Sequence, residues 1–423
     1  MTGALRRDLA LFLGYRFLST SYLFAPVLVL FFGARGLSVV EITLLNSVYC
    51  VTAMLFEVPT GLLADRWGRK RAMVLGSLMM AAGCLVDWAG HSFASFAVGE
   101  GLLALGMTLT SGSDSAWLYD RLRDDGRVPA YRRLEGLGSA SKLAGTAVAM
   151  AAGGWLARSH LAATYLATAA VCLAASLAAA LLGEARYERP SRRAPLAQTL
   201  GAVRLVASYP PLRFAVLFST LVFSLTRMSI YVHQPYLSAA GFAISDVGVV
   251  LAALSLLGGL GAVGIDPLRR TLGERTLVWA LPALLAASYL VLGTWVVAVS
   301  GVAMLALQSI AGGVYSPLSK DLLNRSISDS SHRATILSVE SMARRLAFGL
   351  FAPAVGATID ARGLGAGMEA CAGLAIVGTA ALAGYIAGRR GALSTGFEGE
   401  RTPTPVPVAP VEEEAPEAVR AVE

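Results

Sequence analysis

The stretch GLLADRWGRKR at residues 61–71 separates two long apolar runs of the chain. It contains one acid, four basic residues and two glycines within a few helical turns of sequence. A segment this short and this polar cannot bury a core of its own, so it is predicted to be a charged hairpin between two helices. The fold therefore depends on what the flanking apolar runs are.

The composition indicates a membrane protein. Over 423 residues the apolar fraction is 55%, the charged fraction is 15% and the mean hydropathy is +0.61. Soluble domains carry about 25% charged residues. The chain is therefore predicted to be a polytopic membrane protein, with the lipid bilayer as its surroundings.

Twelve apolar segments have the length that a helix needs to cross a bilayer core of about 30 Å. Backbone in lipid must satisfy its own hydrogen bonds, and the sequence lacks the alternation of a barrel, so each segment is predicted to be helical. The predicted fold is all-α, with twelve transmembrane helices in two pseudo-symmetric six-helix bundles. The predicted spans are 8–33, 40–60, 71–90, 93–117, 136–158, 161–183, 211–237, 243–265, 275–297, 299–323, 334–359 and 365–388.

The basic residues predict the orientation, because cytoplasmic loops hold an excess of Lys and Arg. Nearly all of them fall in loops on one side, whereas the opposite loops offer little beyond Arg35, Arg158 and Arg362. Both termini are therefore predicted to be cytoplasmic, in the cytoplasmic (inner) membrane. The net charge of +7 follows from this topology and does not indicate a nucleic-acid partner.

The chain divides into two similar halves. We predict an N-terminal bundle at 1–183, a cytoplasmic linker at 184–210, a C-terminal bundle at 211–390 and a disordered acidic tail at 391–423. Residues in the first half recur about 204 positions later, as duplicated transporter halves do. Gly68 corresponds to Gly273 and Gly36 to Gly241, whereas Asp65 has become Arg270.

Residues 61–71 resemble the loop signature of the major facilitator superfamily, which joins its second and third helices. The resemblance implies a gate on the cytoplasmic side, in which Asp65 faces the start of the eleventh span at 332–335 and Arg69 pairs with Asp114. A positively charged topology anchor is the structural alternative. The predicted gate residues are Gly61, Asp65, Arg66, Gly68, Arg69 and Asp114.

The fifth span carries glycines at a spacing that resembles the exporter, or antiporter, branch of the same superfamily. Ala149 and Met150 replace the Gly-Pro of that motif. Close helix packing through small residues is the alternative explanation. The glycines are Gly136, Gly145, Gly153 and Gly154.

Charged residues inside spans are costly, and they usually line a cavity or pair with each other. The first and seventh helices line the central cavity in the superfamily, so Arg16 and Arg227 could bind a polar or anionic substrate from opposite halves. Glu57 could pair with Arg344 or Arg345, or it could titrate. The full set of candidates for substrate binding or proton coupling is Arg16, Glu57, Glu100, Arg227, His233, Glu340 and Arg344.

These features predict a secondary active transporter rather than an enzyme. The preferred function is proton-coupled efflux of a small molecule by alternating access. The alternatives are proton-coupled uptake of a polar or anionic metabolite, and a non-transporting receptor or scaffold. The four cysteines lie inside spans without metal-ligand spacing and the chain lacks a Walker loop, so no metal, cofactor or ATP is predicted. A monomer is expected.

Overall fold

The structure is a computed structural model that describes residues 3–185, 195–327 and 333–388, and the regular structure in these ranges is helical. The predicted tail at 391–423 lies outside the described residues, as does part of the linker. The first half contains α1 (Gly3–Leu18), α2 (Leu28–Ala34), α3 (Val39–Trp67), α4 (Arg69–Ala89), α5 (Phe93–Thr110), α6 (Ser113–Asp124), α7 (Tyr131–Ala157) and α8 (Ala163–Ala180). The rest contains α9 (Pro195–Ser208), α10 (Pro210–Ala239), α11 (Ile244–Val263), α12 (Ile265–Leu272), α13 (Glu274–Thr294), α14 (Ala298–Arg325), α15 (Arg333–Arg362) and α16 (Leu364–Ala387).

Nine helical segments in the described part of the chain are long and apolar enough to cross a membrane. They correspond to nine of the twelve predicted spans. The other three are the first, fifth and eleventh spans, which carry more polar residues. Lys142 and several glycines and serines lower the hydropathy of α7, and Glu340, Arg344 and Arg345 do so in α15. Of these three spans, the first and the fifth line the central cavity, whereas α15 does not.

The first predicted span is not a continuous helix, which corrects the prediction of 8–33. α1 ends at Leu18, and helical structure resumes with a 3-10 turn at Ala25–Val27 before α2. The Ser21 hydroxyl donates to the Phe17 carbonyl at 2.7 Å, and Pro26 lacks an N–H for the helical ladder. The freed backbone N–H groups of Leu23 and Phe24 donate to Thr168 Oγ1 at 3.0 and 3.3 Å.

Positive-φ glycines mark the same turn in both halves. Gly68 ends α3 and begins α4 with φ 96°, and Gly273 stands between α12 and α13 with φ 78°. Gly36 and Gly241 have φ 88° and 87° on the opposite side of the membrane. Each pair is 205 residues apart, so the internal repeat expected from the sequence is present in the backbone. We call the side of the Gly68 hairpin the basic face and the opposite side the far face.

The short helix α9 lies in the segment predicted to link the bundles, and it packs against α10 and α15. Its Ala202 is buried. The fourth span is also divided, because Gly112 adopts φ 75° between α5 and α6. α6 therefore extends the fourth span to Asp124, beyond its predicted end at 117.

We predict that Gly68→Ala lowers the unfolding midpoint of the purified protein in detergent. An L-residue at this φ and ψ costs about 1–3 kcal/mol. Gly61→Ala is the control, because Gly61 lies inside α3 and a Cβ there meets nothing within 4 Å. An equal effect of the two substitutions on the thermal midpoint would show that hairpin geometry does not require glycine.

Candidate functional site

A cavity of about 820 Å³ lies between the two halves. Residues of α1, α3, α5, α6 and α7 line it from the first half, and residues of α10, α11 and α14 line it from the second. Its wall combines apolar side chains with charged and amide groups, as small-molecule sites do. Every helix just named contributes at least one polar or small residue, so the sequence places its costly polar groups around one space.

The far face is closed by contacts between the halves. Asp360 in the last turns of α15 accepts hydrogen bonds from the backbone N–H groups of Val39 and Val40 at 2.9 and 2.8 Å, at the start of α3. A carboxylate is favoured there because a helix N-terminus carries partial positive charge. Nearby, Ser47 Oγ donates to the Gly349 carbonyl at 2.6 Å.

A second pair of contacts completes this closure. Gln234 of α10 accepts from the backbone N–H of Val29 at 2.9 Å and donates to the Ala25 carbonyl at 2.7 Å. The backbones of α7 and α11 also touch, because a Cβ on Gly154 would lie 2.6 Å from the Gly248 Cα. These contacts are polar or backbone-mediated, and apolar residues of both halves pack together in one continuous cluster beside them.

Arg16 lies in a buried ion-pair network of the first half. Its side chain is 3% exposed, and its Nε lies 3.1 Å from Asp114. Its Nη2 donates to Ser115 Oγ at 2.9 Å and to both Glu135 oxygens at 3.1 and 3.0 Å. Lys142 Nζ contacts Asp114 at 2.7 Å. Two cations and two carboxylates balance, so Arg16 joins α1, α6 and α7 in an electrically neutral cluster.

The second half has a smaller network at the equivalent place. Glu340 is buried and accepts a hydrogen bond from Ser219, and it pairs with Arg344 of the same helix at 2.6 Å. Tyr315 donates to the Ser219 carbonyl at 3.0 Å. Glu340 stands 205 positions after Glu135, so the two acids are counterparts in the repeat. Arg344 therefore pairs with Glu340 among the described residues, and the expected pair with Glu57 is not formed; pairing of Glu57 with Arg345, or titration of Glu57, stays a prediction.

Glu100 and Arg227 differ from these networks. Both line the cavity, Glu100 from α5 and Arg227 from α10, so they come from opposite halves. Glu100 is 9% exposed, Arg227 is exposed to the cavity, and within the described residues neither forms a hydrogen bond or salt bridge. The Arg227 charge nevertheless acts on Glu100 and on Tyr49. The cavity thus contains an acid, Glu100, and a cation, Arg227, that have no salt-bridge partner among the described residues.

His233 is a polar cavity residue held by a neighbour. Its Nε2 shares a hydrogen bond of 2.8 Å with Gln308 Oε1, and Gln308 Nε2 donates to Ser288 Oγ at 2.9 Å. This chain joins α10, α14 and α13 inside the second half. It fixes the side of the cavity that carries Arg227.

The hairpin at 61–71 forms different pairs from those expected. Arg69 contacts Asp65 at 2.6 Å and acts electrostatically on Asp120 of α6, while Asp114 pairs with Arg16 and Lys142. The predicted Arg69–Asp114 pair is therefore corrected. The geometric reason is that Asp114 lies on the cavity side of α6, against α1 and α7. The contact between Asp65 and 332–335 stays a prediction, because part of that segment lies outside the described residues.

The corresponding hairpin of the second half, at α12 and the start of α13, has its own charge cluster. Arg269 pairs with Glu274 and, at 2.7 Å, with Asp321 of α14. Arg325 contacts Glu274 at 2.5 Å and Asp321 at 3.1 Å. These groups join α12, α13 and α14 within the second half at the basic face. Among the described residues of the first half, Arg66 forms no salt bridge and is exposed, and a Cβ on Gly61 would meet nothing within 4 Å.

The glycines of the fifth span are largely explained by packing. A Cβ on Gly145 would overlap the Phe17 carbonyl, and one on Gly153 would overlap the Leu23 carbonyl. Both glycines therefore accommodate the break between α1 and α2. Gly154 meets Gly248 across the interface, whereas Gly136 has open space around its Cα.

Sequence reasoning missed three charged residues that the structure places near the site. Glu135 and Lys142 are seven residues apart on α7, which puts them on one helix face, and that spacing was the available signal. Asp87 is an acid inside the third apolar run, and it is fully buried on α4 beside α5. Glu57 was a candidate, and its Oε2 is buried without a hydrogen-bond partner in the described part of the chain.

We predict that Gly153→Ala destabilises the protein by about 1–3 kcal/mol, the usual cost of overpacking. Gly136→Ala should be neutral or slightly stabilising, since alanine is the better helix former. Chemical unfolding in detergent measures both. A neutral Gly153→Ala would show that the break after α1 does not depend on this contact.

Comparisons with known proteins agree with this architecture. A family model described as Major Facilitator Superfamily matches residues 11–352. Uncharacterized transporters of Buchnera aphidicola from Acyrthosiphon pisum (strain APS) and from Schizaphis graminum (strain Sg) are each 30% identical over 81 residues, which is 19% of this chain and 20% of the relative. The alignment thus spans about a fifth of those relatives.

Solved structures match over most of the chain. A nucleoside transporter, NupG, superposes with a TM-score of 0.75 at 14% identity and covers 91% of this chain and 99% of its own. An inward-facing, occupied bacterial homolog of the human lysosomal transporter Spinster gives 0.74 at 14% identity, over 93% and 98%. A peptide transporter, POT, in complex with sulfate gives 0.74 at 15% identity, over 92% and 95%. At these identities the likeness concerns the fold.

Proposed function

This chain belongs to the Major Facilitator Superfamily, a family of membrane transporters, and on that premise we propose that it carries a small anionic solute together with protons. The basic face is cytoplasmic in this proposal, following the positive-inside rule. Both termini then lie in the cytoplasm. The cavity belongs to one chain, so a monomer suffices for transport.

The observation that supports the proposal is the unpaired Glu100 and Arg227 in the central cavity. Charges inside a membrane protein are expensive, and those left unpaired mark substrate or ion pathways. The other cavity arginine, Arg16, is already neutralised by Asp114 and Glu135. Arg227 is therefore the cation available to a substrate.

The arrangement favours an anion over a cation. Arg227 lines the cavity, and Arg345 of α15 acts electrostatically on the same Tyr49, so two positive charges act on this part of the cavity wall beside the acid Glu100. When Glu100 takes up a proton, the remaining field is positive and attracts an anionic group. Proton and anion then promote each other's binding, which is the reciprocity that a symporter requires.

Alternating access supplies the movement. The far-face contacts of Asp360, Ser47 and Gln234 would break as the halves rock, and the hairpin with Asp65 and Arg69 would help to close the basic face. The driving force is the proton gradient.

Export by proton antiport is the second candidate, and the glycine pattern of α7 favours it. Gly145, Gly153 and Gly154 have packing roles that explain them without reference to direction. A cationic export substrate would also meet repulsion from Arg227. A scaffold would have no use for an unpaired acid and an unpaired cation in a central cavity, so transport is preferred over that class.

The test uses proteoliposomes that contain a pH-sensitive dye in the lumen. A panel of small carboxylate, phosphate and sulfonate compounds is added outside, with organic cations as a comparison set. We predict that at least one anion acidifies the lumen, since symport carries protons inward with it whichever way the protein is inserted. Alkalinisation on adding a cation would establish antiport and overturn the proposal.

We further predict that Arg227→Gln abolishes acidification by that anion, because it removes the cation that binds the substrate. Glu100→Gln should abolish proton movement while exchange of labelled for unlabelled anion continues. Arg362→Gln is the matched control, since Arg362 is an exposed arginine outside the cavity. Undiminished acidification in Arg227→Gln at normal protein abundance would exclude Arg227 from the site.

A further inference from the structure

Asp87 is a buried carboxylic acid that the cavity itself does not explain. It lies on α4, two residues before the helix ends at the far face, and its side chain is fully buried. Neither carboxyl oxygen has a hydrogen-bond partner among the described residues. Asp87 is also absent from the cavity wall. It is therefore a polar group that is held behind the site without a visible structural partner.

The neighbouring helix brings Asp87 next to Glu100. A Cβ on Gly99 of α5 would overlap Asp87 Oδ1, so the carboxyl group rests directly against the Gly99 backbone. Glu100 is the next residue, and the two acids act on each other electrostatically. Glu100 faces the cavity whereas Asp87 lies on the far-face side of it. The pair thus extends from the cavity toward the opposite side of the membrane.

The other titratable groups around Asp87 do not neutralise it. Tyr165 of α8 is fully buried, and its hydroxyl also has no hydrogen-bond partner in the described residues. Cys84 of α4 and Cys172 of α8 are buried thiols.

The charged groups near this end of α4 are engaged elsewhere. Arg35 donates to the Gly90 and Trp88 carbonyls at 2.7 and 3.1 Å, so it caps the end of α4. Glu41 of α3 accepts from the Ser38 backbone at 2.8 Å. The charges of α6 pair toward the basic face. Asp87 is left with Glu100 as its ionisable acidic neighbour.

An ionised carboxylate in such surroundings would cost several kcal/mol without a compensating charge or hydrogen bond. A carboxyl group that has taken up a proton avoids this cost. Two adjacent acids also cannot both ionise easily, as in carboxylate pairs that share one proton. These surroundings thus suit a neutral Asp87 carboxylic acid beside Glu100.

We propose that Asp87 is a second proton site, which receives a proton from the far face and passes it to Glu100 in the cavity. The transfer takes the proton from the Asp87 carboxylic acid to the Glu100 carboxylate, which leaves Asp87 ionised and Glu100 neutral. No electron moves. Because neither Asp87 oxygen has a hydrogen-bond partner among the described residues, the transfer requires the two carboxyl groups to move within hydrogen-bond reach or to be joined by one water molecule. This inference rests on the proposed proton coupling. Gly99 is required because any side chain there would fill the place of the Asp87 carboxyl group.

Infrared difference spectroscopy of the whole purified protein tests whether Asp87 holds a proton, and it requires no substrate. The C=O stretch of a carboxylic acid is resolved from that of a carboxylate. We expect such a band in the wild type at neutral pH, and its loss in Asp87→Asn. The control Asp246→Asn removes an exposed far-face acid of α11 and should keep the band. A band that is unchanged in Asp87→Asn would overturn the proposal.

Proton entry into dye-loaded proteoliposomes tests the relay. With the anion found in the panel, Asp87→Asn should slow proton entry by about 100-fold, the scale of a lost acid–base group, while labelled anion exchange stays near the wild-type rate. Asp87→Ser serves if Asp87→Asn does not fold. Wild-type proton entry in the variant that folds would overturn the relay. If instead the wild type moves no protons, the proposed function fails, and the infrared band still decides whether Asp87 holds one.

Discussion

The cost of a charge inside an apolar helical bundle is the constraint on which this structure depends. A charge that loses its partner there costs about 3–5 kcal/mol. Arg16 meets this cost with Asp114 and Glu135, Lys142 shares Asp114, and Arg344 is paired with Glu340. These pairs also determine how helices meet, because α1, α6 and α7 converge on one neutral cluster. Glu100 and Arg227 are the exception, because they lie in the cavity without a salt bridge among the described residues, and we attribute this to their role in transport.

The second constraint is that backbone segments must turn tightly or approach each other closely at equivalent places in the two halves. Gly68 and Gly273 turn the chain at the basic face, and Gly36 and Gly241 turn it at the far face. Between the halves, Gly154 and Gly248 let α7 and α11 touch. The counterpart acids Glu135, which is partly exposed to the cavity, and Glu340, which is buried, lie in networks of different composition, so the halves share a backbone plan and differ in chemistry. Among the described residues that line the cavity, Arg227 is the cation of the second half that has no salt bridge.

The sequence predicts the helices and their turns better than their contacts. Apolar length locates the spans, and Gly68 and its copy locate two hairpins, because these signals are local. The break after Leu18 was missed, since Ser19, Thr20 and Ser21 sit in an apolar run that reads as continuous helix. Arg16, Glu100 and Arg227 were identified from the cost of intramembrane charge alone. The partners of Arg16 could not be identified from the sequence, because Asp114 and Glu135 reach it only where three helices meet. The place of Asp87 is likewise seen only from its contact with Gly99.

Paired charges hold the bundle together and unpaired charges serve transport, and the unfolding free energy of three variants tests this separation most directly. Arg16→Gln leaves Asp114 and Glu135 without their arginine, so it should cost about 3–5 kcal/mol. Glu100→Gln and Arg227→Gln remove no salt bridge of the described residues and should stay within about 1 kcal/mol of the wild type. Chemical unfolding of the purified protein in one detergent measures all three. Equal destabilisation by the three substitutions would contradict the account, because Glu100 and Arg227 would then be structural.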